Sequence, residues 1–410
     1  MVRFRKITGI ILAIAVAVSC CGCNNKRFKP KGKDTVVLTE KYTLSASSSR
    51  TPDKNFQQVY AKFSLGLFQQ MRKEGAEFVS PYSVYAVLAI AMNGAGGQTL
   101  EEMKDVLGLP EAELNAYMKT LSDLYNKGEI VAVADSVWVN SPYRKSIKED
   151  FLNIASGYYD ADVISADFGS NETVKDMNNW VKAKTLGRIS ELIDKKELDN
   201  MTVMAVFNCL TFDGKWEKRF EKDATSDAPF TQDDGASRTV KMMSGKAESY
   251  FETEEYIGID KQYKEGYFFR AYLPKEGVTA EQLLNAMTAE QLINPGNYNG
   301  EAILKLPKIT VKSAEMNMVS ALQEIGIRKA FSEKEAEFPR LSTMECYLEK
   351  VCQKTFLEVD EEGTKAAAAS KGLFKTNSAP LYHEVILNRS FIYGIYDAAN
   401  GIPLFIGIYN

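Results

Sequence analysis

The sequence carries one histidine, His383, and that scarcity limits the chemistry open to it. A metal centre built from several histidines is excluded. His383-Glu384 is followed by Val385, Ile386 and Leu387, so the second histidine of a zinc-protease helix is missing. No G-x-S-x-G turn occurs to present a nucleophilic serine. Gly214-Lys215 and Gly245-Lys246 are followed by Trp216 and Ala247, where a phosphate loop needs Ser or Thr. Gly94-Ala95-Gly96-Gly97 lacks a third glycine at the offset of a dinucleotide-binding turn. A serine hydrolase built on His383 would need a nucleophile and an orienting acid, and the sequence offers no pairing for them. His383 therefore reads as a surface or strand residue, and the chain does not read as an enzyme.

A different kind of chemistry is open to the segment just before it, residues 356–380. Residues 355–359 read as a strand, and Asp360-Glu361-Glu362-Gly363 as a turn. The residues after Gly363 are mostly small and polar. Laid out as a strand, alternate side chains face opposite sides. One face carries Thr364, Ala366, Ala368, Ser370, Gly372, Phe374 and Thr376, uncharged and small except for Phe374. The other carries Lys365, Ala367, Ala369, Lys371, Leu373, Lys375 and Asn377, with every lysine. A solvated alanine-rich loop or short helix is the plainer alternative. The sharper reading gives the segment two states: an exposed loop, and a strand inserted into a sheet with its small face inside and its lysines in water.

Such a segment needs a large scaffold. From about residue 53 to 410 no linker rich in Pro, Gly or Ser divides the chain, so one large domain is expected. Residues 55–73 show a helical period through Phe56, Val59, Tyr60, Phe63, Leu67 and Phe68. Ser80-Pro81 opens a second helix, 82–92, apolar nearly all round and therefore expected in the core. Thr99 reads as a helix cap before Met103, Val106 and Leu107, and 176–193 as another helix. Strand-like runs lie at 130–139, 202–212, 267–273 and 303–306, and at 385–387, 391–396 and 404–409. Helices come mainly early and strands mainly late, which favours an α+β fold with large antiparallel sheets.

The N-terminus stands apart. Arg3, Arg5 and Lys6 precede an apolar run, 7–18, and then Ser19-Cys20-Cys21-Gly22-Cys23. This is the pattern of an export signal over residues 1–19, too short to span a membrane, which needs roughly 20 apolar residues. It also resembles a bacterial lipobox: Cys20 fits best as the lipidated residue, Cys23 is the alternative, and a plain signal peptide is the simpler reading. Acyl chains there would anchor the protein to the membrane at the cell envelope or surface. Residues 20–52, with Lys26, Arg27, Lys29, Lys31, Lys33 and a serine-rich stretch at 45–49, read as a solvated flexible tether. The remaining cysteines, Cys209, Cys346 and Cys352, read as small buried hydrophobes, with a Cys346–Cys352 bridge the weaker option. The chain of 410 residues has 45% hydrophobic residues and a net charge of −4. That composition suits a large core and argues against a nucleic-acid partner.

Taken with other motifs, the segment resembles the reactive loop of inhibitory serpins. The hinge-like stretch is Glu361-Glu362-Gly363-Thr364-Lys365-Ala366-Ala367-Ala368-Ala369-Ser370. Further matches are Phe78-Val79-Ser80-Pro81-Tyr82-Ser83 with Asn93-Gly94-Ala95, and Asn179-Trp180-Val181 with Thr185-Leu186-Gly187-Arg188-Ile189. Asn208-Cys209-Leu210-Thr211-Phe212-Asp213-Gly214-Lys215-Trp216, Leu306-Pro307-Lys308, Asn388-Arg389-Ser390-Phe391 and Pro403-Leu404-Phe405-Ile406-Gly407 come next, in the family's order. Together they cover nearly all of residues 53–410. The resemblance implies three β-sheets, eight or nine helices, a metastable native state and an exposed, insertable reactive loop at about residues 363–384. A serine endopeptidase of trypsin-, elastase- or subtilisin-like type, or a papain-like cysteine protease, would attack the loop and form an acyl-enzyme. Insertion of the cut loop into the central sheet would then trap it. A non-inhibitory serpin acting as a binding protein is the alternative, and an unrelated ligand-binding lipoprotein a more distant one. No cofactor or metal is expected, and a monomer is.

Residue roles are implied in the same way. Gly363 and Thr364 resemble the pivot. Ser80, Ser83 and Asn208 resemble the shutter beneath the central sheet, and Trp216 the tryptophan of the breach at its upper opening. Gln353 stands where the shutter usually has a histidine, so its hydrogen bonding must differ. Lys365 replaces a usual acid, on the outward face. The span from Gly363 to Asn388 runs about two residues long, so counting from either end places the cut within Lys375, Thr376, Asn377, Ser378 and Ala379. Lys375 would suit trypsin-like or papain-like enzymes, and Thr376, Ser378 or Ala379 elastase- or subtilisin-like ones.

Overall fold

A computed structural model describes residues 28–39, 48–125, 130–185, 187, 191, 193–194, 198, 202–312, 316–353, 356–364 and 383–410. Cys20, Cys23, residues 365–370 and the expected scissile residues 375–379 lie outside the described residues. The first half is mainly helical. Strand β1 (Val36–Val37) precedes helix α1 (Lys54–Lys73), strand β2 (Phe78–Val79), α2 (Pro81–Gly94), α3 (Gly97–Leu107) and α4 (Glu111–Tyr125). Then come β3 (Val131–Asn140), α5 (Glu149–Tyr159), β4 (Asp162–Ala166), α6 (Asn171–Lys184) and β5 (Met204–Phe212). The second half is mainly strand: β6 (Ser226–Thr231), β7 (Ser237–Ala247), β8 (Ser249–Glu252), β9 (Tyr256–Gln262) and β10 (Tyr267–Pro274). Short helices α7 (Ala280–Ala286) and α8 (Ala289–Ile293) lead to β11 (Ala302–Pro307), β12 (Ile309–Lys312), β13 (Met316–Asn317) and α9 (Val319–Ile325). The chain ends through β14 (Cys352–Gln353), β15 (Phe356–Val359), β16 (His383–Ile386), β17 (Phe391–Asp397) and β18 (Ile402–Tyr409).

Three sheets organise these strands, in the orders β1-β4-β3-β5, β2-β18-β17-β10-β9-β8 and β16-β11-β7-β6, with two-stranded pairs β12-β15 and β13-β14 beside them. The expected α+β fold of three sheets and eight or nine helices is met, with nine α-helices among the described residues. Helix α2 is buried along its whole length, as its all-round apolar sequence requires. Its first turn is held by Pro81 and by Ser80, whose hydroxyl accepts the Ser83 amide.

Strand β5 alternates cleanly. Met204, Val206, Leu210 and Phe212 join the main core, while Phe207 and Cys209 pack with Trp138, Met177 and Trp180 under α6. Its one ladder among the described residues is with β3, from Val131↔Phe212 to Val139↔Met204. On the other side β14 lies against β5, and β15 is paired with β12, without a described ladder to β5. Among the described residues the central sheet is thus split along β5.

Three expectations are corrected. Thr99 does not cap α3: that helix begins at Gly97 with Gly96 as its N-cap, and Thr99 is buried inside it, accepting the Glu337 amide. The helix expected over 176–193 begins earlier, capped by Ser170, and ends at Lys184. Residues 28–39 of the expected tether are docked on the body. The Lys31 and Gly32 amides both donate to the buried Asp176 carboxylate, and β1 pairs antiparallel with β4. Inward Phe28 meets Trp138 edge-on, while Lys29, Lys31 and Lys33 stay exposed. Alternation reconciles the two tendencies, because one side of an extended segment packs while the other keeps its charges in water. Cys346 is free and buried, as the hydrophobe reading expected, and forms no bridge.

Candidate functional site

At its upper end the split sheet is bridged by the chain leaving β15. Asp360 Oδ1 accepts the amides of Glu362 and Gly363, and the Asp360 amide donates to Gly363 O, closing a tight turn. Residues 361–364 then lie as an extended strip against residues 214–220, just beyond β5. Phe220 N donates to Glu361 O and Trp216 N to Glu362 O, both at 3.0 Å, while Thr364 N donates to Gly214 O at 2.6 Å. Gly363 bridges Lys215 at φ +148°, and a Cβ there would lie 2.2 Å from Gly214 O, so only glycine fits.

The side chains of this strip are seated as well. Glu361 is buried and takes Lys308 at 2.7 Å and the Thr225 hydroxyl at 2.8 Å. Burial works against its charge, but Lys308 and the Thr225 hydroxyl outweigh it and hold the carboxyl below its usual range. Glu362 faces Lys222 at 3.3 Å and Arg219 at 3.8 Å. Thr364 is only 2% exposed, and its hydroxyl shares a 2.9 Å hydrogen bond with the Tyr263 hydroxyl. Trp216 lies beneath the strip, donating from Nε1 to Asp360 O at 2.8 Å and stacking on Tyr263 with centroids 4.1 Å apart.

Sequence reading missed two residues here, Tyr263 and Lys261. Lys261 is buried below Trp216 and Phe220, and its Nζ donates to the carbonyls of Lys218 and Lys246 at 2.8 Å each. Burial pushes its amine down to about 8. Both residues lie in the polar run Asp260-Lys261-Gln262-Tyr263-Lys264, which gives no sign in sequence that either is buried.

Lower down, the residues expected to form a shutter are partly brought together. Gln353 holds the backbone of Ser80 at both ends, with Ser80 N donating to Oε1 and Nε2 donating to Ser80 O, each at 2.9 Å. Asn208 is turned elsewhere, and its Nδ2 donates to Asp135 Oδ1 on β3. His383 is exposed on β16 and stacks on Tyr250 with centroids 4.0 Å apart, a surface strand residue as expected. Among the described residues no cluster of His, Cys, Asp or Glu could hold a metal ion.

Comparison with known proteins gives this arrangement a context. The family model described as "Serpin (serine protease inhibitor)" matches residues 58–410. Human neuroserpin is 27% identical over 379 residues, covering 86% of this chain and 90% of that protein. Leukocyte elastase inhibitor of Equus caballus is 28% identical over 367 residues, covering 84% and 96%. The native-state crystal structure of the thermophilic serpin tengpin superposes with a TM-score of 0.83 at 31% identity, covering 92% of this chain and 99% of tengpin.

Proposed function

The chain belongs to the serpin family, and we propose that it is an inhibitory member, consumed as a suicide substrate by serine endopeptidases. The observation that carries this reading is the seating of Gly363 and Thr364 at the mouth of the split sheet, with small residues Ala366–Ala369 and Ser370 next in the sequence. A strand that has begun to enter there meets no bulky or charged inward residue before Phe374. The protease serine would attack a carbonyl within residues 375–379. The peptide C–N bond would break, the new amine would leave protonated, and an ester would join the loop to the enzyme. Insertion of the freed loop would carry the enzyme away from the geometry that lets water cleave that ester. The kinship with a protein named leukocyte elastase inhibitor favours serine endopeptidases as targets, with papain-like cysteine proteases a further class.

The test is to mix the purified chain with trypsin, elastase, subtilisin and papain and to resolve the products on denaturing gels. A complex that survives boiling, with loss of protease activity near equal molarity, supports inhibition. Clean loop cleavage without a complex against all four turns the reading towards a non-inhibitory binding protein. Mass spectrometry of the cleaved loop locates the bond, and cuts only at Lys371 or earlier would reject the 375–379 assignment.

We also propose that the protein is exported, is a monomer and is anchored to the membrane through lipid on Cys20 or, failing that, Cys23. The support is the basic and apolar stretch before Ser19. Fatty-acid labelling of cells making wild type, Cys20→Ser and Cys23→Ser tests the anchor, and an unlabelled wild type refutes it. Gel filtration tests the monomer.

A further inference from the structure

Within the central sheet lies a polar contact that inhibition does not explain. Asp135 on β3 stands directly opposite Asn208 on β5, and the two residues are 5% and 9% exposed. Asn208 Nδ2 donates to Asp135 Oδ1 over 2.8 Å. The other end of the same amide, Asn208 Oδ1, is buried and has no hydrogen-bond donor among the described residues. A buried carbonyl left unmet forfeits a hydrogen bond it had in water. An ionised carboxylate cannot help, because it only accepts. A neutral carboxylic acid can, since it meets a primary amide with two hydrogen bonds, its C=O taking the N–H and its O–H reaching the amide oxygen.

We propose that Asp135 is the neutral acid in the native protein and that its O–H is the donor Asn208 Oδ1 otherwise lacks, so that a single proton latches β3 to β5 and its loss at higher pH loosens the native state. The surroundings agree. No ion pair among the described residues involves Asp135. The groups close enough to feel its charge are Tyr82 of α2, Tyr159 of α5, Cys209 of β5, Asp160 and Lys184. Burial raises the pKa of Tyr82, Tyr159 and Cys209, which keeps all three neutral across the physiological range. Asp160 repels an anion at Asp135, and Lys184, which attracts one, is itself bound to Asp162 at 3.1 Å. Burial, opposed by the Asn208 N–H, pushes the Asp135 carboxyl up to about 7. Gln353, in place of a histidine, cannot titrate, so the proton chemistry of this region rests on β3. Because β5 borders the split, weakening its tie to β3 also shortens the life of the closed sheet.

The sign follows from linkage. An unfolded aspartate ionises near pH 4, roughly three units below the folded group. Between those values the native state holds a proton that the unfolded state has lost, so stability falls as pH rises and levels off above about 7. From pH 5.5 to 8.5 this site lowers the folding constant by about 30-fold. The experiment compares denaturant unfolding of the full chain with that of Asp135→Asn across that window, since asparagine keeps the shape and supplies an N–H at every pH. The expected result is a wild-type folding constant that drops about 30-fold relative to the variant. Parallel curves overturn the proposal. Should the variant not fold, NMR of wild type labelled at the aspartate side-chain carboxyl carbon replaces it. One aspartate still protonated at pH 6 and titrating near 7 is expected, and its absence overturns the proposal.

Discussion

At Gly363 the backbone sits at φ +148°, pressed against Gly214 O and Lys215 Cα. Any side chain there must either distort the backbone or lift residues 361–364 off the sheet. Gly363→Ala is therefore expected to cost about 1–3 kcal/mol of native stability, read as a lowered thermal midpoint. It should also speed exchange of the Thr364 amide, which is bonded to Gly214 O. Glu361 poses an electrostatic question at the same turn. Its carboxyl is held below the usual range, so its contribution is present above the unfolded value near pH 4 and is lost as pH falls through the folded value. Because the Lys308 side chain is 38% exposed, solvent screens the pair, and Glu361→Gln is expected to cost only about 1 kcal/mol at pH 7. The same substitution should cost nothing at a pH where wild-type Glu361 is already protonated. Denaturant unfolding at the two pH values distinguishes this from a packing effect, which would persist in acid.

The element that departs most from expectation is the docked segment of residues 28–39. Its hold on α6 runs through Asp176, whose two carboxylate oxygens each accept a backbone amide, at 2.9 Å. Asp176→Ala leaves both donors unmet and is expected to cost about 2 kcal/mol, with faster proteolytic cutting within residues 28–39. Unchanged proteolysis would mean that β1 pairing alone holds the segment. This docking was illegible in sequence for a physical reason. Val36, Val37 and Leu38 are a short apolar run among lysines, and the β4 partner that makes them a strand lies far along the chain. By contrast α2 was legible because every face is apolar, and β3, β5, β17 and β18 because buried strands keep long β-branched and aromatic runs. Thr99 was misread because local spacing gives a cap wherever Thr precedes two acids, while Gly96 and the distant Glu337 decide where α3 begins. The glycine of the 361–364 strip and the buried Trp216 beneath it stood out in sequence as motifs. The Asp135–Asn208 contact did not, because cross-strand partners are set by register.

At the scale of the whole molecule, the proposed inhibition asks one chain to be compatible with two arrangements of its central sheet, and Thr364 is the described residue that both would have to accommodate. Here it is 2% exposed, its amide on Gly214 O and its hydroxyl on Tyr263, which itself stacks on Trp216. A guanidinium at that position would be taken out of water against the Tyr263 and Trp216 rings, a desolvation of several kcal/mol unless the strip stays outside. Thr364→Arg is therefore expected to leave the loop cleavable but to hinder its entry into the sheet. On denaturing gels the covalent complex should fall at least tenfold, corresponding to about 1.4 kcal/mol in the partition between trapping and release, while cleaved chain accumulates. The cleaved variant should also lack the rise in thermal midpoint expected of cleaved wild type if its loop inserts. Lys365 falls on the opposite face by alternation, so Lys365→Glu is expected to form as much covalent complex as wild type. If the two substitutions behave alike, the inward and outward faces read from the sequence do not govern insertion, and loss of trapping in Thr364→Arg would reflect charge alone.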